Sequence, residues 1–222
     1  PWLLEGRLSY SEMLSTRRGQ QRQVALPDDS ILQLNTATQA RVMYYEHRRM
    51  VELLAGEITF SVAADAARPF YVDADKTSVR VTGTRFNVRR DGDEVRVAVD
   101  SGVVEVSSGH WWSRRTARLT AGQGVDAAGG DLAAIRPVNI AALLAWQQGQ
   151  IVFENTPLKQ AVQEVNRYSP SAILLPDPRL AQIRIAGVFS TDNPQSFLDL
   201  LPEIAPVRIL ARPNGGSIIV PR

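Results

Sequence analysis

The sequence predicts an all-β domain of stacked antiparallel sheets, sandwich or solenoid-like, followed by a small α+β domain of two β-α-β units. Residues 48–106 contain about seven short segments of alternating apolar and polar residues, separated by Gly, Pro, Asp and Asn. Such alternation places one set of side chains in a core and the other in water, as in antiparallel sheet. Beyond residue 148 the apolar spacing becomes helical. We therefore place the all-β domain at residues 1–128, a connector at 129–148 and the α+β domain at 149–222.

The strands of the first domain are predicted in order along the chain. Residues 8–14 are mildly amphipathic and are expected to form an arm or a first short element. Strands at 22–26 and 31–35 are expected to form a hairpin around Pro27-Asp-Asp-Ser30, because Pro pre-sets the turn and Asp tolerates its backbone angles. The short connections favour antiparallel neighbours, since a parallel pair needs a crossover of about a dozen residues. Residues 107–115 break the alternation and predict a longer hairpin loop. Further strands are expected at 40–44, 48–54, 57–62, 70–73, 77–82, 84–90, 94–99, 102–107, 116–119 and 123–127.

Two helix-start signals organise the second domain. Thr156-Pro157 predicts an N-cap followed by proline at the first helical position, and Asn193-Pro194 repeats that pattern. Apolar residues follow each signal at the spacing of one helix face. They are Leu158, Ala161, Val162 and Val165 after the first signal, and Phe197, Leu198 and Leu201 after the second. Strands are expected around the helices at 151–153, 173–175, 183–189, 207–211 and 217–220.

The composition excludes several classes of function. The net charge is only +2, and the basic residues form scattered pairs instead of a run of five or more. A nucleic-acid interface needs basic residues clustered on one face, so no nucleic acid is expected as a partner. The chain has no cysteine, which removes disulfides and thiol chemistry. Its longest uncharged stretch, residues 137–153, is shorter than the roughly 20 apolar residues of a membrane span.

No pattern of side chains indicates catalysis, a metal site or a cofactor. The two histidines, His47 and His110, lie far apart, and neither has carboxylates at ligand spacing. Aspartates occur in close pairs at 28–29, 73–75 and 91–93, but each pair lies at a predicted turn between strands, where Asp is favoured. Calcium would require more oxygen ligands at regular spacing. We therefore expect no enzyme activity, no catalytic residue, no metal and no cofactor.

An ordered set of short motifs runs through the first domain. Its members are Leu26-Pro-Asp-Asp-Ser30 with Leu34-Asn35, Gly56-Glu57 with Phe60-Ser-Val62, Arg68-Pro-Phe70, Gly83-Thr84 with Phe86, and Gly122-Gln123. In this order and spacing they resemble the FecR family, the transmembrane anti-sigma regulators of bacterial cell-surface signalling. Asp29 departs from the family, which usually has glycine there, and so does Thr82, where an aliphatic residue is common.

The resemblance implies a location and partners. In this family a cytoplasmic segment holds a sigma factor, one helix crosses the inner membrane, and the periplasmic remainder receives a signal. The signal comes from the N-terminal signalling domain of an outer-membrane TonB-dependent transducer, typically one that imports iron chelates. The chain begins with Pro1 and not Met, so we expect a fragment or processed product that corresponds to the periplasmic portion. Contact with the sigma factor and the membrane would then involve segments upstream of this chain.

The second domain has a resemblance of its own. Phe153-Glu-Asn-Thr-Pro-Leu158, Ala161 and Val165-Asn-Arg-Tyr168 look like the short N-terminal domain of secretins and TonB-dependent receptors. Small α+β domains expose sheet edges, and such edges recruit strands from other chains through main-chain hydrogen bonds. Residues 183–189 are predicted to be such an edge, with 217–220 as a rival, although an internal strand at 183–189 is also compatible with the sequence. The predicted partner-binding residues are Ile183, Arg184, Ile185, Gly187, Val188, Phe189, Ile218 and Val220.

A different class of function remains open. Trp111 and Trp112 follow His110 in the predicted hairpin loop. Aromatic rings stack well on flat ligands. The alternative is therefore a β-domain that binds carbohydrate or peptidoglycan through these two tryptophans.

Overall fold

The computed structural model describes residues 6–110, 112–213 and 215–222. The chain divides into two compact units between Ile140 and Ala141, a point inside the predicted connector. We call them the β unit and the α+β unit. In the described ranges no helix is long and apolar enough to cross a membrane.

The described residues of the β unit form fourteen strands, and its stacked, mainly antiparallel sheets confirm the predicted fold class. The strands expected between residues 22 and 127 are present within two residues at their ends, apart from one merger described below. The predicted arm is a full strand, β1. The strands are β1 (Leu8–Ser15), β2 (Arg22–Ala25), β3 (Ile31–Leu34), β4 (Gln39–Tyr45), β5 (Arg49–Ser61), β6 (Phe70–Ala74), β7 (Thr77–Val81), β8 (Arg85–Asp91), β9 (Glu94–Ser101), β10 (Val103–Ser108), β11 (Arg115–Thr120), β12 (Gln123–Ala128), β13 (Asp131–Leu132) and β14 (Arg136–Pro137).

The order of hydrogen-bonded strands makes β5 the central element. The main path is β11-β10-β7-β6-β5-β8-β9-β12-β13. Two branches also end on β5, because β1 pairs with β4, β2 pairs with β3, and both β4 and β3 pair with β5. Inward side chains from both halves of this arrangement form one apolar core, which includes Val51, Leu53, Ile58 and Phe60 of β5 itself.

The prediction of separate strands at 48–54 and 57–62 is wrong, because β5 runs unbroken for 13 residues. Its first half pairs with β4 and β6, and its second half, from Gly56 onward, pairs with β3 and β8. Gly56 has φ +89°, a conformation that costs glycine little and other residues much. The strand therefore bends at Gly56 and leaves one sheet for the other without ending.

The expectation of antiparallel neighbours throughout is also wrong at one place, since β5 and β6 pair in parallel from Arg49↔Phe70 to Glu52↔Asp73. Parallel pairing usually requires a long crossover. Here the short connection between Ser61 and Phe70 is enough, because the bent β5 brings its two ends close together. A hydrogen bond joins these two ends, because the Arg49 Nη1 group at the start of β5 donates to the carbonyl of Ala63, just after β5, at 2.9 Å.

The α+β unit confirms the two predicted β-α-β units, but it distributes their strands over two sheets. The first strands of the two units pair with each other as β15-β17, and the second strands flank the last strand as β16-β19-β18. Apolar residues of both sheets and both longer helices share one core. The elements are α1 (Ile140–Leu143), a 3₁₀ helix (Ala145–Gln148), β15 (Gln150–Pro157), α2 (Leu158–Asn166), β16 (Ile173–Leu174), β17 (Arg184–Ser190), α3 (Gln195–Ile204), β18 (Val207–Ala211) and β19 (Ser217–Pro221).

Thr156 does not cap α2, contrary to the prediction. It lies in β15, and its hydroxyl is within hydrogen-bonding distance of the backbone of Glu154. The first N–H groups of α2 find other partners, because Leu158 N donates to Ile183 O at 2.8 Å and Lys159 N donates to Ala181 O at 3.1 Å. The segment before β17 thus supplies the acceptors that a side-chain cap would otherwise provide.

Candidate functional site

The strand predicted to dock a partner, β17, has one open edge. It pairs with β15 in the antiparallel register Ile151↔Phe189, Val152↔Val188 and Phe153↔Gly187. On its other side the described residues supply no strand. The interpretation of residues 183–189 as an internal strand is therefore wrong. Ile183 itself precedes the strand and packs against the core of the unit.

The two faces of β17 have different roles. Arg184, Ala186 and Val188 point to solvent, and Val188 is 57% exposed. Ile185 and Phe189 are buried, with the Phe189 ring 5.2 Å from the ring of Phe197. The expectation that Phe189 anchors a partner needs correction, because its ring belongs to the core and only its main chain lies at the edge. Val188 is the apolar side chain of β17 that a partner can contact.

The prediction that residues 217–220 form the rival edge is also wrong. β19 lies in the middle of its sheet, and Ile218 pairs with Leu174 on one side and with Leu210 on the other. Val220 pairs with Arg208 of β18. Strand β16 has only two residues, which are too few to show an alternating pattern. Its pairing with β19 could therefore not be predicted from the sequence.

A buried ion pair lies in the β unit. Arg49 is fully buried, and its Nη1 donates to Asp28 Oδ2 at 2.6 Å. Its Nε donates to the carbonyl of Arg68 at 2.9 Å, and its guanidinium lies 5.4 Å from the centre of the Phe70 ring. The hydroxyls of Tyr44 and Ser30 donate to the Asp28 carboxylate at 2.7 Å each. We call Asp28, Ser30, Tyr44 and Arg49 the Asp28 cluster.

The contacts in the Asp28 cluster govern its ionisation. Burial alone would raise the pKa of Asp28, but hydrogen bonds from Tyr44, Arg49 and Ser30 outweigh it and lower that pKa below its ordinary value. Burial, and then the hydrogen bond to Asp28, raise the pKa of the Tyr44 hydroxyl. Asp28 is therefore held as a carboxylate and Tyr44 as a donor. A general base must reach a substrate, and this carboxylate is enclosed by its own donors.

A second buried carboxylate, Glu57, joins three elements of the β unit. The side-chain amides of Asn35 and Asn87 donate to its two oxygens, each at 3.0 Å. Thr59 donates to the amide oxygen of Asn87 at 2.9 Å. The Glu57 N–H donates to the hydroxyl of Thr38 at 3.0 Å. These contacts tie the turn after β3 to β5 and β8.

The first two sequence motifs therefore contribute residues to internal polar clusters. Asp28 and Ser30 hold the first hairpin turn to Arg49, while Asn35 and Glu57 hold the second cluster. Sequence reasoning identified Asp28 as a turn residue but missed Arg49. A signal was present, because Arg49 is in phase with the inward residues Val51 and Leu53.

The remaining candidate residues do not form a reactive site. His47 is exposed, and within the described ranges no three His, Asp or Glu side chains gather as a metal site would require. His110 and Trp112 stack at 4.7 Å with ring planes 4° apart, and Trp112 is 66% exposed. Trp111, the other half of the predicted aromatic pair, lies outside the described residues.

Comparison with known proteins agrees with this architecture. The profile described as FecR protein matches residues 12–105, the region from β1 to β10. Residues 12–105 belong to the FecR family. FecR-family proteins are regulatory and not enzymatic, in agreement with the prediction that this chain is not an enzyme. No curated protein matches the chain.

Two crystal structures of a candidate anti-sigma factor from Parabacteroides distasonis ATCC 8503 have a similar fold. One, at 2.50 Å resolution, gives a TM-score of 0.79 at 24% identity and covers 96% of this chain and 100% of the other. The second, at 1.65 Å, gives a TM-score of 0.80 at 24% identity and covers 95% and 99% of the two chains. At this identity the comparison establishes the fold, which extends beyond the FecR domain into the α+β unit.

Proposed function

We propose that this chain regulates sigma-factor signalling as the periplasmic, signal-receiving part of a transmembrane anti-sigma regulator. Its partner is the N-terminal signalling domain of an outer-membrane TonB-dependent transducer, in a pathway that controls iron-chelate uptake. The FecR domain supports the regulatory role. The β-α-β organisation of the α+β unit supports its similarity to the short domain of secretins and TonB-dependent receptors.

The open edge of β17 is the observation that carries this proposal. A partner strand added there gains main-chain hydrogen bonds along Arg184–Ser190, while Val188 offers apolar area on the outer face. The opposite edge of the same sheet is less suited, because β15 has a bulge at residues 154–155, and Asn155 adopts φ +50°. Bulges twist an edge away from incoming strands.

The β unit would transmit the binding event toward the membrane. In this proposal, the engaged regulator becomes susceptible to regulated proteolysis in its membrane-proximal part, and the sigma factor is released. The buried clusters of Asp28 and Glu57 give the β unit the rigidity that such a role requires.

The docking edge is tested by Val188→Glu in the full chain. A buried charge at the interface should weaken binding of the transducer's signalling domain about tenfold or more, measured by isothermal titration calorimetry. Val103→Glu, at another exposed strand position in the β unit, is the matched control and should bind normally. If the wild-type chain forms no complex, the proposed function is wrong; if Val188→Glu binds as wild type, the assignment of the edge is wrong.

The stacked pair His110–Trp112 supports a second candidate, a site for cell-wall carbohydrate. An exposed tryptophan held by a second ring presents a flat apolar face of the kind that sugars contact. Titration with soluble peptidoglycan fragments should quench tryptophan fluorescence in the wild type and not in Trp112→Ala. Trp2, Trp111 and Trp146 are present in both proteins, so the difference between the two titrations reports on Trp112. Equal signals from the two proteins would eliminate this candidate.

A further inference from the structure

The α+β unit has a second open strand edge, on β18. This strand pairs with β19 without interruption from Val207↔Pro221 to Ala211↔Ser217. On its other side no strand occurs within the described ranges. It contains no bulge and no proline, the devices by which edge strands usually avoid pairing with other chains.

The outer face of this sheet is apolar next to the open edge. Leu174, Ile218 and Leu210 are direct cross-strand partners, one from each strand, so their side chains share a face. Leu210 is 43% exposed, and Leu174 is exposed as well. The adjoining residues Ile173 and Ile219 are buried and face the core. Leu174, Ile218 and Leu210 therefore form an apolar row that lies outside the core of the unit.

Helix α3, which packs on β17 and β18, carries a second apolar patch. Its core-facing residues are Phe197, Leu198 and Leu201, whereas Leu200 and Ile204 are 45% and 40% exposed. These two lie one turn apart and about a quarter turn around the helix from the buried face. The principal contacts of α3 are with β17 and β18, and those of α2 are with β15. Leu200 and Ile204 therefore form an apolar flank beside the core-facing side of α3.

Charge indicates what kind of chain fits the β18 edge. The strands β16, β18 and β19 contain Arg208 and no acidic residue. Arg208 lies on the same outer face as Leu210, two residues away, and it makes no ion pair in the described part of the chain. An incoming strand with an acidic residue beside apolar ones would complement both side chains.

We propose that the β18 edge is a second protein-docking site, distinct from β17, which takes an extended segment of alternating apolar and acidic residues from another polypeptide. Added to β18, the segment places one row of side chains on the α3 side of the sheet. The other row faces outward beside Leu210, with its carboxylate near Arg208. This site does not depend on the identity of the partner of β17.

A designed peptide tests the β18 site in the full chain. The probe is a fluorescein-labelled ten-residue peptide with valine at every second position and glutamate and leucine alternating between them. Fluorescence anisotropy should show binding that Leu210→Glu weakens about tenfold or more. Arg208→Glu should reverse the preference, favouring the same peptide with lysine in place of glutamate. Val103→Glu, on a strand of the β unit, is the matched control and should bind as wild type.

Hydrogen exchange locates the peptide independently of any variant. Amides of Val207–Ala211 should become protected when the peptide binds, and those of Arg184–Ser190 should not. The proposal is wrong if the peptide does not bind. It is also wrong if the peptide protects only the amides of β17, or if only substitutions in β17 weaken its binding. A third outcome is that the peptide does not bind, while the chain self-associates and Leu210→Glu abolishes that association. The β18 edge would then bind a second copy of this chain, and the proposed acidic segment would be wrong.

Discussion

Arg49 shows how one residue connects separate parts of the β unit. Its guanidinium contacts the turn before β3 through Asp28, the chain after β5 through Ala63 and the chain before β6 through Arg68. Removing two charges from water is costly, and the attraction of Arg49 to Asp28 and its hydrogen bonds to Ala63 and Arg68 oppose that cost, although its Nη2 has no partner among the described residues. Such a pair is weakly stabilising overall but strongly destabilising when one partner is removed.

Replacing Arg49 should therefore be severe. Arg49→Met leaves the carboxylate of Asp28 buried without its cation, and we expect a loss of about 3–5 kcal/mol in unfolding free energy. Urea denaturation followed by circular dichroism measures it. Arg41→Met is the matched control, because Arg41 pairs with Glu52 at 3.6 Å on the surface. It should cost about 1 kcal/mol or less. Similar losses for both variants would contradict the assigned role of Arg49.

Asp28 should make the stability depend on pH in the acid range. Its pKa is lower in the folded chain than in the unfolded chain, so its contribution is present above the ordinary pKa of about 3.9 and is lost as pH falls through the folded-state value. The stability advantage of wild type over Asp28→Asn should therefore shrink on acidification below about pH 4. Denaturation series at several pH values measure it. An advantage that stays constant or grows would refute this role.

At the scale of the element, β5 owes its bend to one glycine. A Cβ on Gly56 would lie 2.5 Å from the Cα of Thr38, closer than two such carbon atoms can approach. Thr38 is itself held by its hydroxyl bond to the Glu57 N–H. The bend, the close approach of residue 38 and the Glu57 cluster therefore depend on each other.

Gly56→Ala should reveal this dependence. The left-handed conformation alone costs a non-glycine residue about 1–2 kcal/mol, and the contact with Thr38 adds to it. Gly92→Ala is the matched control, because Gly92 has φ +65° and nothing within 4 Å of an added Cβ. Thermal denaturation should show a clearly larger loss for Gly56→Ala. Equal losses would mean that the backbone relaxes and the close contact is unimportant.

At the scale of the whole molecule, each unit has its own apolar core. One core is formed by residues of the β unit up to Leu132, and the other by residues from Trp146 onward. Because burial of apolar area is the main source of stability, a core defect acts first on the unit that contains it.

Core truncation should therefore act locally. Leu158→Ala and Leu53→Ala each remove a fully buried side chain, one from each core, and each should cost about 2–5 kcal/mol. Hydrogen exchange with mass spectrometry should show faster exchange only in the α+β unit for Leu158→Ala, and only in the β unit for Leu53→Ala. Faster exchange in both units from either variant would show that they unfold together.

Much of the architecture follows from the sequence alone. The two-residue periodicity placed most strands of the β unit, because alternation depends only on which side chains face the core. The helical spacing after Pro157 and Pro194 placed α2 and α3 for the same reason. The absence of cysteine and of ligand-spaced histidines directed the interpretation toward binding.

The pairing of the strands was decided only by the tertiary structure. Periodicity does not say which strand pairs with which, so the position of β19 between β16 and β18 could not be predicted. It also does not distinguish a continuous bent strand from two strands, so β5 was divided at Gly56. Arg49 shows the same limit, because an arginine lies in a core only where distant carbonyls and a carboxylate meet it. Those partners come from segments far apart in sequence, and folding alone brings them together.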